Sequence, residues 1–284
     1  MFGLKAKALF IGAALAAFAA ASAIAATPGQ PAPTAADWRA PDPAHTMVID
    51  TNKGRIVVEL YPTIAPVSVA RLETLTRNHT YDGLTFFRVV EDFMDQTGDP
   101  KNTGEGGSSL PDIKAEFNFK ATPGFPVVSH PDNGGDAGFI GVMPVVSQPA
   151  ALGALTADGR VNASSLFCPG VVGIARAASP DSGNSQFFLM RGTKLELDEK
   201  YTAAGRVIAG QDVVNAIKVG EPVPAPSDRM VKVQMLSDMP AGQRPTIKVL
   251  DTKTAYFAAL IGKQKAAKGD EFTPCDVIVP SLIK

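Results

Sequence analysis

The sequence predicts a mainly β protein, a closed antiparallel barrel of short strands with two helices packed on it. Three observations lead there. β-branched and aromatic runs recur between Gly, Pro, Asn and Asp turn residues. The first two runs flank Thr51-Asn52-Lys53-Gly54, whose Asn and Gly supply the backbone of a hairpin turn. Before Pro240, only two stretches read as helix, one with its apolar face at Val69, Leu72 and Leu75 and a short one from Gln211 to Ile217.

Taken in order, Lys5 and Lys7 precede an apolar run from Ala8 to about Ala21 and the small residues Ala23-Ile24-Ala25. That is the layout of a cleavable secretory signal over 1–25, so the mature chain is expected to be exported, to the periplasm, and to insert in no membrane. An uncleaved anchor over Ala8 to Ala26 is the alternative, and no second long apolar stretch follows. Residues 26–44 are rich in Pro and Ala and read as an extended leader whose one large apolar residue is Trp38. The domain is expected to run over 45–238. Met47 to Asp50 and Arg55 to Leu60 form its hairpin, and Pro66 suits the first turn of the helix that follows. Leu84 to Val90 reads as a strand, and Gly104-Glu105-Gly106-Gly107 as a loop that needs backbone freedom. From about 119 to 167, Gly, Pro, Ser and Asn interrupt short apolar pieces such as Phe139 to Val146. A structureless loop of that length is improbable in a compact domain, so this long insertion is expected to carry strands or turns of its own. Val171 to Ala175, Gln186 to Met190, Ala203 to Val207 and Met230 to Leu236 complete the strands. The extension 239–284 is expected to pack on the domain, with a helix from Thr252 to Ala267 and an apolar end at Val277 to Leu282.

Without Lys5 and Lys7 the 27 basic residues become 25 against 28 acidic ones, a net charge of −3 with no run of either sign. A nucleic-acid surface would need a basic stripe, so nucleic acid is excluded as a partner. Cys168 and Cys275 are the two cysteines; in an exported chain they either pair in a disulfide or remain as two buried thiols. Three other patterns are incomplete. Pro180-Asp181-Ser182-Gly183 lacks a supporting histidine, Asp132 to Asp136 lacks the spacing and bidentate Glu of a calcium loop, and Gly104 to Gly107 lacks the ending of a phosphate cradle. No cofactor or metal is expected.

The chemistry concentrates in Tyr81 to Asp99, where Arg88 stands amid apolar residues with Phe93, Met94 and Gln96 close behind. An apolar hollow with one cation suits a ligand that is mostly hydrocarbon and carries one polar bond to be gripped. The proline peptide bond fits that description. Phe87-Arg88-Val89-Val90, Phe93-Met94, Gln96 and Gly98-Asp99 make one pattern. Ile174-Ala175-Arg176 with Ser185-Gln186-Phe187-Phe188 makes a second, and Leu197-Asp198-Glu199-Lys200-Tyr201-Thr202 with Gly205 a third. Together they resemble the cyclophilins, prolyl cis/trans isomerases, from Met47 to Ser237.

The resemblance implies an eight-stranded barrel with two capping helices, and a monomer acting on proline-containing polypeptides. It implies that Arg88 is the catalytic guanidinium, that Phe93, Met94, Phe188 and Leu197 form the proline pocket, and that Gln96 is its polar wall. Ala175, Arg176 and Gln186 are expected to contact the peptide, with Tyr201 at the pocket rim where vertebrate members have histidine. Glu196 falls where they have a tryptophan that grips cyclosporin, so weaker drug binding is expected. Phe87 and Ile174 replace a usual histidine and methionine while keeping bulk. A cyclophilin-fold binding or chaperone module with residual activity is the rival reading.

Overall fold

The computed structural model describes residues 32–131 and 134–284. The expected signal, the start of the leader, Asp132 and Asn133 lie outside them. In chain order the strands are β1 (Trp38–Arg39), β2 (Thr46–Thr51), β3 (Gly54–Leu60), β4 (Arg88–Val90), β5 (Met94–Thr97), β6 (Asn118–Ala121), β7 (Val127–Ser129) and β8 (Asp136–Ile140). There follow β9 (Met143–Ser147), β10 (Val161–Ser165), β11 (Val171–Ile174), β12 (Phe187–Met190), β13 (Ala203–Ala209), β14 (Met230–Met235), β15 (Ile247–Leu250) and β16 (Ser281–Ile283). The helices are α1 (Pro66–Arg77), α2 (Gln211–Asn215) and α3 (Ala255–Lys268).

Eight strands form one antiparallel sheet in the order β14-β2-β3-β13-β11-β12-β5-β4. The sheet curls until its ends meet: Gly83 N–H donates to Met230 O at 2.7 Å, Met230 N–H to Leu84 O at 2.9 Å and Phe86 N–H to Asp228 O at 3.0 Å. Strand alternation explains the core. On β2 and β3, Met47, Ile49, Ile56, Val58 and Leu60 join the cluster under α1, whereas Val48 and Val57 join a second cluster on the opposite face. Phe187 and Leu189 of β12 go with the first cluster, and Phe188 and Met190 with the second. A strand apolar on both faces must be covered on both.

The second face is covered by two further sheets. β6-β10-β9-β8-β7 makes a five-stranded antiparallel sheet, and β1-β15-β16 a three-stranded one. Phe139 and Val145 of the former meet Val249, Phe257 and Val277 of the C-terminal segment in this cluster. Phe139 stands edge-on to Phe257 at 5.6 Å. Cys168 and Cys275 form a disulfide across the same junction. The Pro- and Ala-rich segment ahead of the sheet ends in β1, where Trp38 pairs with Leu250 and Arg39 makes a two-point ion pair with Glu59 at 2.6 and 2.7 Å.

The predicted strand Leu84 to Val90 is shorter here. Only Arg88–Val90 is β, because Phe86 and Phe87 turn their backbones to the 220–228 loop: Phe86 N–H meets Asp228 O, and Val223 N–H meets Phe87 O at 3.0 Å. The tail helix runs from Ala255 to Lys268, capped by the Thr254 hydroxyl, which accepts from Phe257 N–H.

Candidate active site

Register sets the site. Arg88 on β4 pairs with Gln96 on β5, Gln96 with Phe188 on β12, and Phe188 with Gly173 on β11. Residues directly opposite one another share a face, so these four lie in one row across four strands. Met94 lies two residues before Gln96 and therefore on the same face, while Asp95 and Thr97 are buried on the other.

A chain of directed hydrogen bonds runs from that row. Arg88 Nη1 donates to Gln96 Oε1 at 3.4 Å, and Gln96 Nε2 donates to Gln186 Oε1 at 2.9 Å. Gln186 Nε2 in turn donates to the carbonyls of Gly104 and Gly106 at 2.9 and 2.8 Å. The terminal carbonyls can only accept, which settles the orientation of both amides. The loop supplying them is wound around Asp99. Its carboxylate accepts from the N–H groups of Lys101, Thr103, Gly104 and Gly106. Burial opposes the charge on Asp99, yet the four donors hold its carboxyl below the usual range. Gly106 approaches so closely that a Cβ would stand 1.9 Å from Asp99 Oδ1.

The apolar side is continuous with the second core cluster. Met94 and Phe188 are buried in it, and Phe93, Ala175, Leu197 and Tyr201 are half-buried against it. The Phe188 ring stacks on Phe167 at 6.0 Å and meets the edge of Tyr201 at 5.9 Å. It also lies over β11, where a Cβ on Gly173 would come within 2.2 Å of its Cζ. Leu197 and Tyr201 ride on a turn fixed by Asp198, whose Oδ1 accepts from Phe167 N–H at 2.8 Å. Burial pushes the Asp198 carboxyl up to about 7, with that N–H pulling it back. Arg88 stands over the Phe93 ring at 5.8 Å, its guanidinium at the edge of this apolar wall.

Beyond Gln96 a groove of about 500 Å³ is lined by Gly104 to Ser108, Ala175, Arg176, Asn184 and Gln186. Ala175 N–H donates to Gln186 O at 3.0 Å, tying the two groove walls together. The Arg176 guanidinium is turned to its own chain: Nε and Nη2 donate to Lys200 O, Nη1 donates to Ala177 O, and the group lies over the Tyr201 ring at 4.4 Å. It braces the Leu197–Tyr201 turn. Glu196 is exposed on that turn. The structure thus brings Arg88, Met94, Gln96 and Phe188 onto one face of the sheet, with Phe93 beside Arg88, Gln186 hydrogen-bonded to Gln96, Tyr201 against Phe188 and Leu197 packed on the same apolar cluster, while Ala175 and Arg176 line the adjoining groove.

Residues 46–237 match the family description "Cyclophilin type peptidyl-prolyl cis-trans isomerase". This chain belongs to the cyclophilin family. It is similar to a Brucella suis protein named "Probable peptidyl-prolyl cis-trans isomerase", 32% identical over 192 residues that cover 64% of this chain and 75% of that one. A "Putative peptidyl-prolyl cis-trans isomerase" of Staphylococcus aureus is 50% identical over 64 residues, 22% of this chain and 32% of that one. Among solved structures, the cyclophilin AquaCyp293 from Hirschia baltica superposes with a TM-score of 0.79 at 32% identity, over 87% of this chain and 93% of that one. The activity of the present chain is peptidyl-prolyl cis-trans isomerisation, and cyclophilins act on proline-containing peptides.

For this cyclophilin the sequence reading left out three contributors. Phe167 backs the Phe188 and Tyr201 rings, Gly173 makes room for Phe188, and Glu221 contacts Arg88. A lone Gly inside the apolar run Val171 to Ala175 is a legible sign of close approach. Glu221 lies 133 residues from Arg88 and has no local signal.

Proposed function

We propose that Arg88 carries the isomerisation by stabilising the X-Pro amide as it twists. The planar amide resists rotation by about 18–20 kcal/mol because twisting removes its resonance. At the twisted geometry the proline nitrogen regains a lone pair, so a donor fixed at that point stabilises the transition state more than either planar state. The carrying observation is that the Arg88 guanidinium stands over the Phe93 ring at 5.8 Å, with its Nη1 between Met94 Sδ and Gln96 Oε1, beside the apolar row of Met94 and Phe188. A planar, permanently charged group suits that task. Phe93, Met94, Phe188 and Leu197 take the proline ring, Tyr201 closes the rim, and the groove of Ala175, Arg176 and Gln186 takes the rest of the peptide. In a protease-coupled assay on a short proline peptide, Arg88→Ala is expected to lower kcat/KM at least about tenfold, equivalent to about 1.4 kcal/mol. Unchanged kinetics in a variant with the wild-type circular dichroism spectrum would remove Arg88 from the mechanism.

The clients, in this reading, are proteins folding after export, where X-Pro rotation over tens to hundreds of seconds limits the rate. The signal pattern over 1–25 supports export, and so does a Cys168–Cys275 disulfide, a bond that persists in oxidising compartments. Recovery from the periplasm of a chain without its first 25 residues and without free thiol is the expected result. Recovery in the cytosol with both thiols free contradicts it.

A further inference from the structure

Arg88 has a partner that the proline pocket does not require. Its Nε donates to Glu221 Oε1 at 2.5 Å, Nη1 faces Gln96 and Met94, and Nη2 has no hydrogen-bond partner among the described residues. A guanidinium carries its five N–H groups in one plane, so a bond at Nε fixes which way the two Nη groups point. Gln96 touches a single Nη at 3.4 Å and cannot set that plane alone.

The loop presenting Glu221 is built onto β4. Val89 and Gly220 exchange both backbone hydrogen bonds at 2.8 and 2.9 Å, and Val223 N–H donates to Phe87 O at 3.0 Å. Residues 220 and 223 are thus tied to the residues on either side of Arg88. Lys218 closes the loop from behind, its N–H on Asp228 Oδ2 and its Nζ on Pro224 O, both at 2.8 Å.

We propose that Glu221 is a positioning residue for the isomerisation, holding Arg88 by its Nε so that the Nη edge faces the proline. The proposal rests on the catalytic reading of Arg88. With the Glu221 side chain 57% exposed, the ion pair contributes little to stability, so its use lies in orientation. Charge alone predicts the opposite sign, because a carboxylate beside the guanidinium weakens its field.

The test is kcat/KM for Glu221→Ala and Glu221→Gln in the wild-type and Arg88→Ala backgrounds, with peptide affinity by titration and the Arg88 Nε–Hε resonance by NMR. Glu221→Ala is expected to lower kcat/KM about fivefold with little change in affinity, because a loosened group loses alignment. Glu221→Gln keeps an acceptor and is expected to retain most of the activity. In the Arg88→Ala background Glu221→Ala should change nothing, and in the wild-type background it should shift the Nε–Hε resonance. Wild-type or higher activity in Glu221→Ala overturns the proposal, as does an equal loss in both backgrounds, which would mark a structural role. Full activity in Arg88→Ala alone would instead overturn the parent reading.

Discussion

Two arginines of the same curled sheet are put to opposite uses. Arg206 lies on β13, between β3 and β11, and is 4% exposed; the side chain of Arg88, on edge strand β4, is 36% exposed. Arg206 spends its donors on main-chain carbonyls of three separate segments, Val142 O at 2.9 Å, Val277 O at 3.0 Å and Pro169 O at 3.2 Å. It thereby rivets the barrel to the five-stranded sheet and the C-terminal segment. Burial lowers its pKa to about 10, against the influence of Tyr61. Arg88 is anchored at one edge and open at the other. The same side chain is structural when each of its three nitrogens is bonded to the protein, and available to a ligand when one nitrogen is left free.

The contrast can be broken from the Arg206 side. Cys275 lies two residues before Val277, and its bridge to Cys168 spans 107 residues. A loop of that length implies that Cys275→Ser lowers stability by about 4 kcal/mol in a denaturant titration, with kcat/KM per folded molecule within about twofold of wild type. Arg206→Met is expected to destabilise by about 3 kcal/mol, since it leaves buried carbonyls without donors, again sparing the chemistry. Loss of activity without loss of stability in either variant would erase the distinction.

A smaller effect belongs to the pocket wall. Asp198 is raised from 3.8 to about 7, first by burial, so between those values the folded state binds more protons than the unfolded one. Its contribution to stability is present below 3.8 and lost as pH rises through about 7. Asp198→Asn should flatten the decline in melting temperature over that window. A decline of unchanged slope would assign it to other groups.

How much of this was legible varies by residue, for physical reasons. The hairpin turn and the Pro66 start of α1 are local signals, and both stand in the structure. The closeness of Arg88, Phe93, Met94 and Gln96 is also local, because β4 and β5 are joined by a tight turn that puts Arg88, Met94 and Gln96 on one face and Phe93 under the guanidinium. β5 itself escaped the strand reading, since Met94–Thr97 buries Asp95 and Thr97 where a strand pattern calls for apolar residues. The double-sided burial of β2 and β3 showed only as unbroken apolar runs, which do not say what covers them. Glu221 and Phe167 reach the site through tertiary folding alone.

The most direct test of the central claim, that a planar guanidinium with one free edge does the chemistry, is the exchange rate between cis and trans peptide measured by NMR with Arg88→Lys. Lysine keeps the charge and loses the rigid fork. The expected result is a wild-type melting temperature and a catalytic exchange rate at least about tenfold lower, because a bare ammonium cannot be held by Nε and aimed by Nη at once. An exchange rate equal to wild type would show that a positive charge at this position suffices, and would contradict the assignment of orientation as the source of catalysis.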